Sequence, residues 1–206
     1  MNREIGLRTR PSQARSQKRL GTILDAAATI LEDEGPEALN TNRIARLSGV
    51  PVASLYHYFP NKHAVLAALG ERWLDRVSAA IDQAEAACPP EAGLLAFMDA
   101  CLVGLADSYQ GAAGLEALMR AMSLLPELRE LEEQHDTCAV QRMADLVRRG
   151  GVAASASELH RIAEVLVMGG HALLVMLRDK PEADRPAVLV EVQLLWRSYL
   201  AAWLAR

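Results

Sequence analysis

Three observations predict an all-α fold. Hydrophobic residues make up 51% of the 206 and aromatics only 4%, with heavy use of alanine and leucine, a bias that favours helices over sheets. Apolar residues recur every three or four positions along extended runs, the period of a helix with one buried face. Glycine and proline punctuate those runs, and neither a useful strand pattern nor an internal repeat lies between them. The chain divides into an arm over residues 1–13, a three-helix unit over 14–62 and a larger helical domain over 63–206.

The arm contains Gly6 and Pro11 and no apolar period, which predicts disorder. Residues 1–20 carry six basic side chains (Arg3, Arg8, Arg10, Arg15, Lys18, Arg19) against Glu4 alone. The balance is +3 over residues 1–70 and −7 over 71–206, for a net charge of −4. A basic end on an acidic body suggests that the front meets a polyanion. The arm either reaches phosphates or a minor groove beside the main contact, or is idle.

From about Arg15 a helical face builds through Leu20, Ile23, Leu24, Ala27, Ala28, Ile30 and Leu31, and Gly35-Pro36 stops it. Thr41 is the expected N-cap of the next helix, Asn42 to about Ser48, because its hydroxyl can accept from a helix-start amide.

Residues 44–59, IARLSGVPVASLYHYF, read as two short helices joined by the bend Ser48-Gly49-Val50. Ile44, Ala45, Leu47, Val50, Leu55 and Phe59 are the expected small core. Pro51, Val52, Ala53, Ser54, Tyr56 and His57 are left for the outside. This is the layout of a helix-turn-helix that offers its second helix to a DNA major groove.

A long helix then runs without a breaker from His63 through Trp73, Val77 and Ile81 to Ala87, ending at Pro89-Pro90. It would link the head to the body and serve as the transmission element. Five further helices are expected near 91–109, 112–124, 126–149, 157–179 and 186–205, bounded by Gly111–Gly114, Pro126, Gly150-Gly151 and the Pro181–Pro186 stretch.

Arg19 to Leu69, with AAATILEDEG, NRIARLSGV and SLYHYFPNKHAVL in that order, resembles the DNA-binding region of TetR-family transcriptional regulators. The resemblance implies an N-terminal helix-turn-helix domain, then a helical effector-binding and dimerisation domain. It also implies that Thr41 and Asn42 sit near one DNA backbone, that Val52, Ala53 and His57 face base edges, and that Tyr56 and Lys62 hold phosphates. The chemistry agrees. Tyr56 can donate its hydroxyl to a phosphate, and Lys62 adds a charge at a helix start that already favours anions. Val52 and Ala53 suit thymine methyl groups, and His57 can donate to a purine acceptor. Two residues depart from the family pattern. Pro51 replaces the usual Ser or Thr cap, a loss that Ser54 partly makes good as a backbone contact. His63 stands where an acid is common, which removes a compensating charge.

The last two predicted helices carry the stripes Leu159, Ile162, Leu166, Gly169, Gly170, Leu173 and Leu189, Val192, Trp196, Tyr199 or Leu200, Trp203. Stripes this apolar either finish the monomer core or meet a second subunit. The resemblance points to a four-helix homodimer interface in which Gly169-Gly170 allows close approach, and so to a two-fold match with a palindromic operator.

Expected effector residues lie on the middle helices: Phe97, Met98, Cys101, Leu102, Leu105, Leu118, Met119, Met122, Met143, Met168, His171 and Val175. A Met-rich lining suits a bulky apolar or aromatic molecule, although most of these residues serve equally as plain core. Cys88, Cys101 and Cys138 read as buried reduced thiols. Glu132, Glu133, His135 and Cys138 could be drawn as a metal site but read better as a solvated helix face. No phosphate loop, nucleophile elbow, HExxH or paired-cysteine zinc spacing occurs, so neither a catalytic site nor a cofactor is expected. No apolar run approaches the roughly 18 residues of a membrane span, and a cytoplasmic location is expected.

The leading expectation is a ligand-responsive, homodimeric repressor released from its operator by a small apolar or aromatic effector. An all-helical enzyme with a helix-turn-helix appendage, or a DNA-binding protein with no ligand and a solid body, are the alternatives.

Overall fold

A computed structural model describes residues 6–8 and 13–206. Among the described residues there are nine α-helices and no strand: α1 Ala14–Glu34, α2 Thr41–Ser48, α3 Val52–Tyr58, α4 Lys62–Ala87, α5 Gly93–Gln110, α6 Leu115–Leu124, α7 Pro126–Arg149, α8 Ala156–Arg178 and α9 Arg185–Leu204. Two 3-10 turns, Pro36–Ala38 and Pro90–Ala92, precede α2 and α5. The helices packed into two compact units. Unit 1 holds the residues up to Asp75 together with Ala112–Glu133, and unit 2 holds Arg76–Gly111 and Gln134–Arg206.

In unit 1, α1 packs on α2 and α6, and α2 packs on α3. Ile23, Ile30, Ile44, Leu55 and Phe59 are fully buried in one cluster that also takes in Leu118, Met122 and Leu128. Tyr58 is buried with them. Leu47, expected in this core, is 53% exposed instead. It lies three residues after Ile44 on a helix of only eight residues, whose buried positions are Ile44 and Ala45.

The predicted cap also moves by one residue. Asn40, not Thr41, caps α2: its side-chain oxygen accepts the Arg43 N–H at 2.9 Å, and Thr41 is the first helical residue. At the other end of α2, Gly49 adopts φ 66°, ψ 14°, the left-handed conformation that costs a Cβ-bearing residue most. The Ser48 hydroxyl accepts the Val50 N–H at 3.3 Å and completes the turn.

In unit 2, α5 packs on α8 and α9. Met98, Cys101, Leu102, Ile162, Leu166, Trp196 and Leu200 are buried there. A reciprocal capping box starts α8: Ser155 accepts the Glu158 N–H, and Glu158 accepts the Ser155 N–H at 2.9 Å.

The stripe singled out on α8 and α9 belongs mostly to this core. Leu159, Ile162, Leu166, Gly170, Val192, Trp196 and Leu200 are buried within one chain. A Cβ on Gly170 would collide with the Trp196 ring, whereas one on Gly169 would meet open space. The exposed apolar residues form a second stripe: Val165, Met168 and Met176 on α8, and Val190, Leu194 and Leu195 on α9.

With both faces apolar, α8 and α9 are long and apolar enough to cross a membrane by length and composition, contrary to expectation. Scattered charges, such as Glu164 on α8 and Glu191 on α9, interrupt each helix, so neither is an uncharged run.

The thiols also differ from expectation. Cys101 is buried, Cys88 is half-buried and Cys138 is exposed, all of them free. Burial pushes the Cys101 thiol up to about 12.

Candidate nucleic-acid interface

On α3, Leu55 and Tyr58 turn into the unit 1 core while Pro51, Val52, Ala53, Tyr56 and His57 are exposed and Ser54 is half-buried. The period of the helix makes this division: residues three apart share the buried side, and the positions between them face out. Pro51 caps α3 through its backbone alone, its carbonyl accepting from Ser54 N at 2.8 Å and Leu55 N at 3.1 Å. The absent capping hydroxyl is therefore absent in fact. The exposed α3 surface presents two small apolar side chains, one imidazole and one phenol.

Three of the predicted contacts are brought together. The Thr41 and Tyr56 hydroxyl oxygens lie 3.0 Å apart, linking the start of α2 to the exposed side of α3. Asn42 is exposed next to Thr41. Lys62 is the first residue of α4, half-buried, where the Asn61 side chain accepts the Ala64 N–H at 3.0 Å and caps the helix. A helix start that bears a lysine favours an anion.

Cationic residues not singled out in the sequence join this surface. Asn40, Asn42, Arg43 and Arg46 line a depression of about 300 Å³. Arg43 is paired with Glu34, and Arg46 is exposed. Their signal was present as two arginines three residues apart on an amphipathic helix.

The arm also bears on α3. Arg8 donates its backbone N–H to the Tyr58 carbonyl at 2.9 Å, and its guanidinium lies 3.4 Å from the Tyr56 carbonyl. Leu7 packs against the unit 1 core. Gly6 and Gln13 are exposed, and residues 1–5 and 9–12 of the predicted disordered arm lie outside the described residues.

Two family profiles match this chain. The N-terminal profile of bacterial regulatory proteins of the tetR family covers residues 23–69, and a tetracyclin repressor-like C-terminal domain covers residues 89–200. The chain belongs to the TetR family of transcriptional regulators. Among curated relatives, the HTH-type transcriptional repressor KstR of Mycolicibacterium smegmatis is 30% identical over 197 residues, 95% of this chain and 80% of that protein. KstR of Mycobacterium tuberculosis is 29% identical over 196 residues, 95% of this chain and 74% of that protein. Among solved structures, a TetR-family regulator from Streptomyces coelicolor aligns with TM-score 0.65 at 26% identity, covering 92% of this chain and 99% of its own. SmeT, solved in complex with triclosan, aligns with TM-score 0.70 at 20% identity, covering 90% and 91%, which is a likeness of fold. As a TetR-family member the chain is a DNA-binding regulator, and the enzyme alternative is set aside.

The effector residues expected for a TetR regulator are divided by the fold. Met98, Cys101, Leu102 and Leu105 on α5 and Met143 on α7 are buried in unit 2. His171 and Val175 are half-buried on α8, and Met168 is exposed there. Leu118, Met119 and Met122 lie on α6 in unit 1, with Leu118 and Met122 inside its core.

The polar member of the unit 2 group is tied to a residue that sequence reasoning passed over. The Tyr109 hydroxyl oxygen and His171 Nδ1 share a hydrogen bond of 2.6 Å, with the rings edge to face. Burial lowers the His171 pKa, an effect that Asp136 partly opposes, and the same burial raises that of Tyr109. A neutral imidazole paired with a neutral phenol is the consistent protonation state.

His135 and Asp136 lie 3.7 Å apart on α7, and Cys138 is exposed on that helix.

Proposed function

We propose that this TetR-family regulator is a homodimeric, cytoplasmic repressor that leaves a palindromic operator when a small, largely apolar effector binds unit 2. The single observation that carries the reading is the exposed α3 surface, with Val52, Ala53 and His57 outward and Tyr56 joined to Thr41. It combines base-reading groups with backbone-holding ones over a rigid apolar core. Val52, Ala53 and His57 read the major groove; Thr41, Asn42, Ser54, Tyr56 and Lys62 hold the DNA backbone.

The second apolar stripe of α8 and α9, centred on Val165, Met168, Leu194 and Leu195, supports a four-helix dimer contact, since a stripe of this kind marks an interface. The boundary between head (residues 14–62) and body (63–206) is read as functional rather than as a packing boundary. A ligand that favours one of two subunit arrangements changes the fit of two recognition helices to successive grooves. An open cleft in unit 2, with a volume of about 520 Å³, supports the effector-responsive reading over that of a solid DNA-binding body.

The test is a gel shift with the DNA upstream of the protein's own gene, run across a salt series beside light scattering. Sequence-selective, salt-sensitive binding by a dimer is expected, and Leu194→Glu should yield monomer and lose the shift. A monomeric wild type, or binding without sequence preference, would sink the reading.

A further inference from the structure

The cleft in unit 2 lies where the C-terminal ends of α4 and α7 meet the start of α5. Its volume, about 520 Å³, falls within the range of small-molecule sites. Leu94, Phe97 and Leu146 supply apolar wall, Cys88 a half-buried thiol, and Glu85 and Arg149 a charged edge. Phe97 is the one residue of the expected effector set among those that line it.

The charged edge is asymmetric. Both oxygens of Glu85 are engaged: Oε2 accepts from Arg142 at 2.7 Å and Oε1 from Arg149 at 2.9 Å. Arg142 in turn also holds Asp82 and donates to the Ser78 hydroxyl at 3.2 Å. The guanidinium of Arg142 first, and that of Arg149 after it, keeps the Glu85 carboxyl below its ordinary range. The last-turn carbonyls of Leu146, Val147 and Arg148 are taken by the N–H groups of Gly150, Val152 and Gly151. These acceptors are therefore already engaged.

Arg149 is different: its side chain is 61% exposed, and its ion pair uses one edge of a five-donor fork. The edge of the cleft thus offers donors to a ligand, while its walls offer apolar surface. An amine would meet Arg149 with the nearby carboxylate already occupied. A carboxylate would find an open guanidinium edge suited to bidentate pairing.

We propose that this cleft binds a small apolar molecule bearing a carboxylate, with its body on Leu94, Phe97 and Leu146 and its carboxylate on Arg149. As the identity of the effector site, this rests on the effector-responsive reading above; as a binding site, it stands without it.

Titration calorimetry on the full chain, with decanoate and 4-phenylbutyrate against decan-1-ol and decylamine, tests it. Saturable binding of an acid is expected, at least tenfold tighter than decylamine. Arg149→Gln should weaken the acid at least tenfold and leave decan-1-ol unchanged, with Arg149→Lys between. Cys88→Phe, which fills the cleft, should remove acid binding, thermal melts confirming that each variant is folded. No saturable binding of either acid, or acid binding indifferent to Arg149→Gln, overturns the site. A gel shift with the same acids separates the two claims. Arg149-dependent binding that leaves the DNA complex intact upholds the site and refutes its effector role. Release by other molecules with no acid binding does the reverse.

Discussion

Thr41 Oγ1 and Tyr56 Oη share one hydrogen bond of 3.0 Å, so the first residue of α2 fixes the phenol of α3 before any DNA arrives. If the threonine donates, the tyrosine proton remains available for a phosphate oxygen. The pair presents a pre-oriented neutral donor, and Lys62 at the start of α4 is the charged one. The two kinds of contact separate under salt.

Tyr56→Phe should lower affinity for every DNA sequence by about two- to tenfold, the value of one net hydrogen bond, without altering the salt dependence. Lys62→Ala should also weaken all sequences alike, but flatten the slope of log K against log salt by about 0.9, one phosphate's worth of released counterions. Fluorescence anisotropy at four or more salt concentrations measures both. Equal slopes in the two variants would refute the division.

His57 is the hydrogen-bonding side chain among the small apolar readers of the exposed α3 surface. His57→Ala should therefore change which bases are preferred, costing about 1–3 kcal/mol at one position of each half-site, with nonspecific affinity little altered. Selection from a randomised operator pool reads this out. An unchanged consensus with uniformly weaker binding would make His57 a backbone contact instead.

Gly170→Ala should destabilise the protein by about 1–3 kcal/mol, because the added methyl must displace the Trp196 ring in a packed core. Gly169→Ala meets nothing within 4 Å in the single chain, and helix propensity alone would stabilise α8 by up to about 1 kcal/mol. Chemical denaturation of both variants decides. A stable Gly170→Ala would mean that Trp196 repacks freely.

The helix boundaries from α5 onward were legible to within a few residues, because Gly111–Gly114, Pro126, Gly150-Gly151 and the Pro181–Pro186 stretch each break a strong apolar period. The exposed side of α3 was legible from Leu55 and Phe59, which lie four apart and are both buried, whereas the burial of Tyr58 beside them was not foreseen. Faces were harder than boundaries. Leu47 fits the apolar period of α2 yet faces out, and the α8–α9 stripe, which fitted a monomer core or a partner equally, is filled by α5 and by Trp196 against Gly170. A period locates an apolar face and not what covers it. The cap fell to Asn40 because its oxygen reaches Arg43 N three residues on, leaving the Thr41 hydroxyl for Tyr56. The cleft was invisible because its walls join two stretches far apart in the sequence, residues 85–97 and 146–151.

The burial of His171 beside Tyr109 gives the fold a pH dependence of definite sign. Burial holds the folded His171 pKa below the ordinary value of 6.5, so the unfolded chain takes up the proton first. The contribution is present in full above about pH 6.5 and is lost as pH falls through the folded pKa. Denaturation midpoints should therefore decline from pH 7 towards pH 5. His171→Gln, which can still accept from Tyr109 but does not titrate, should flatten part of that decline. An identical profile in the variant would assign the acid loss to other groups.

Unit 1 is built from two separate stretches of chain, the residues up to Asp75 and Ala112–Glu133, with Leu118, Met122 and Leu128 in the same core as Ile23 and Phe59. The DNA-reading head is consequently not a cassette. A chimera that transplanted only its first seventy or so residues onto a foreign body would leave an apolar gap where α6 belongs. Exchanging operator specificity between relatives of this fold thus requires a discontinuous graft, or substitutions confined to the outer surface of α3. In descent as in engineering, the reading surface can diverge quickly while the core that carries it must change together with the body.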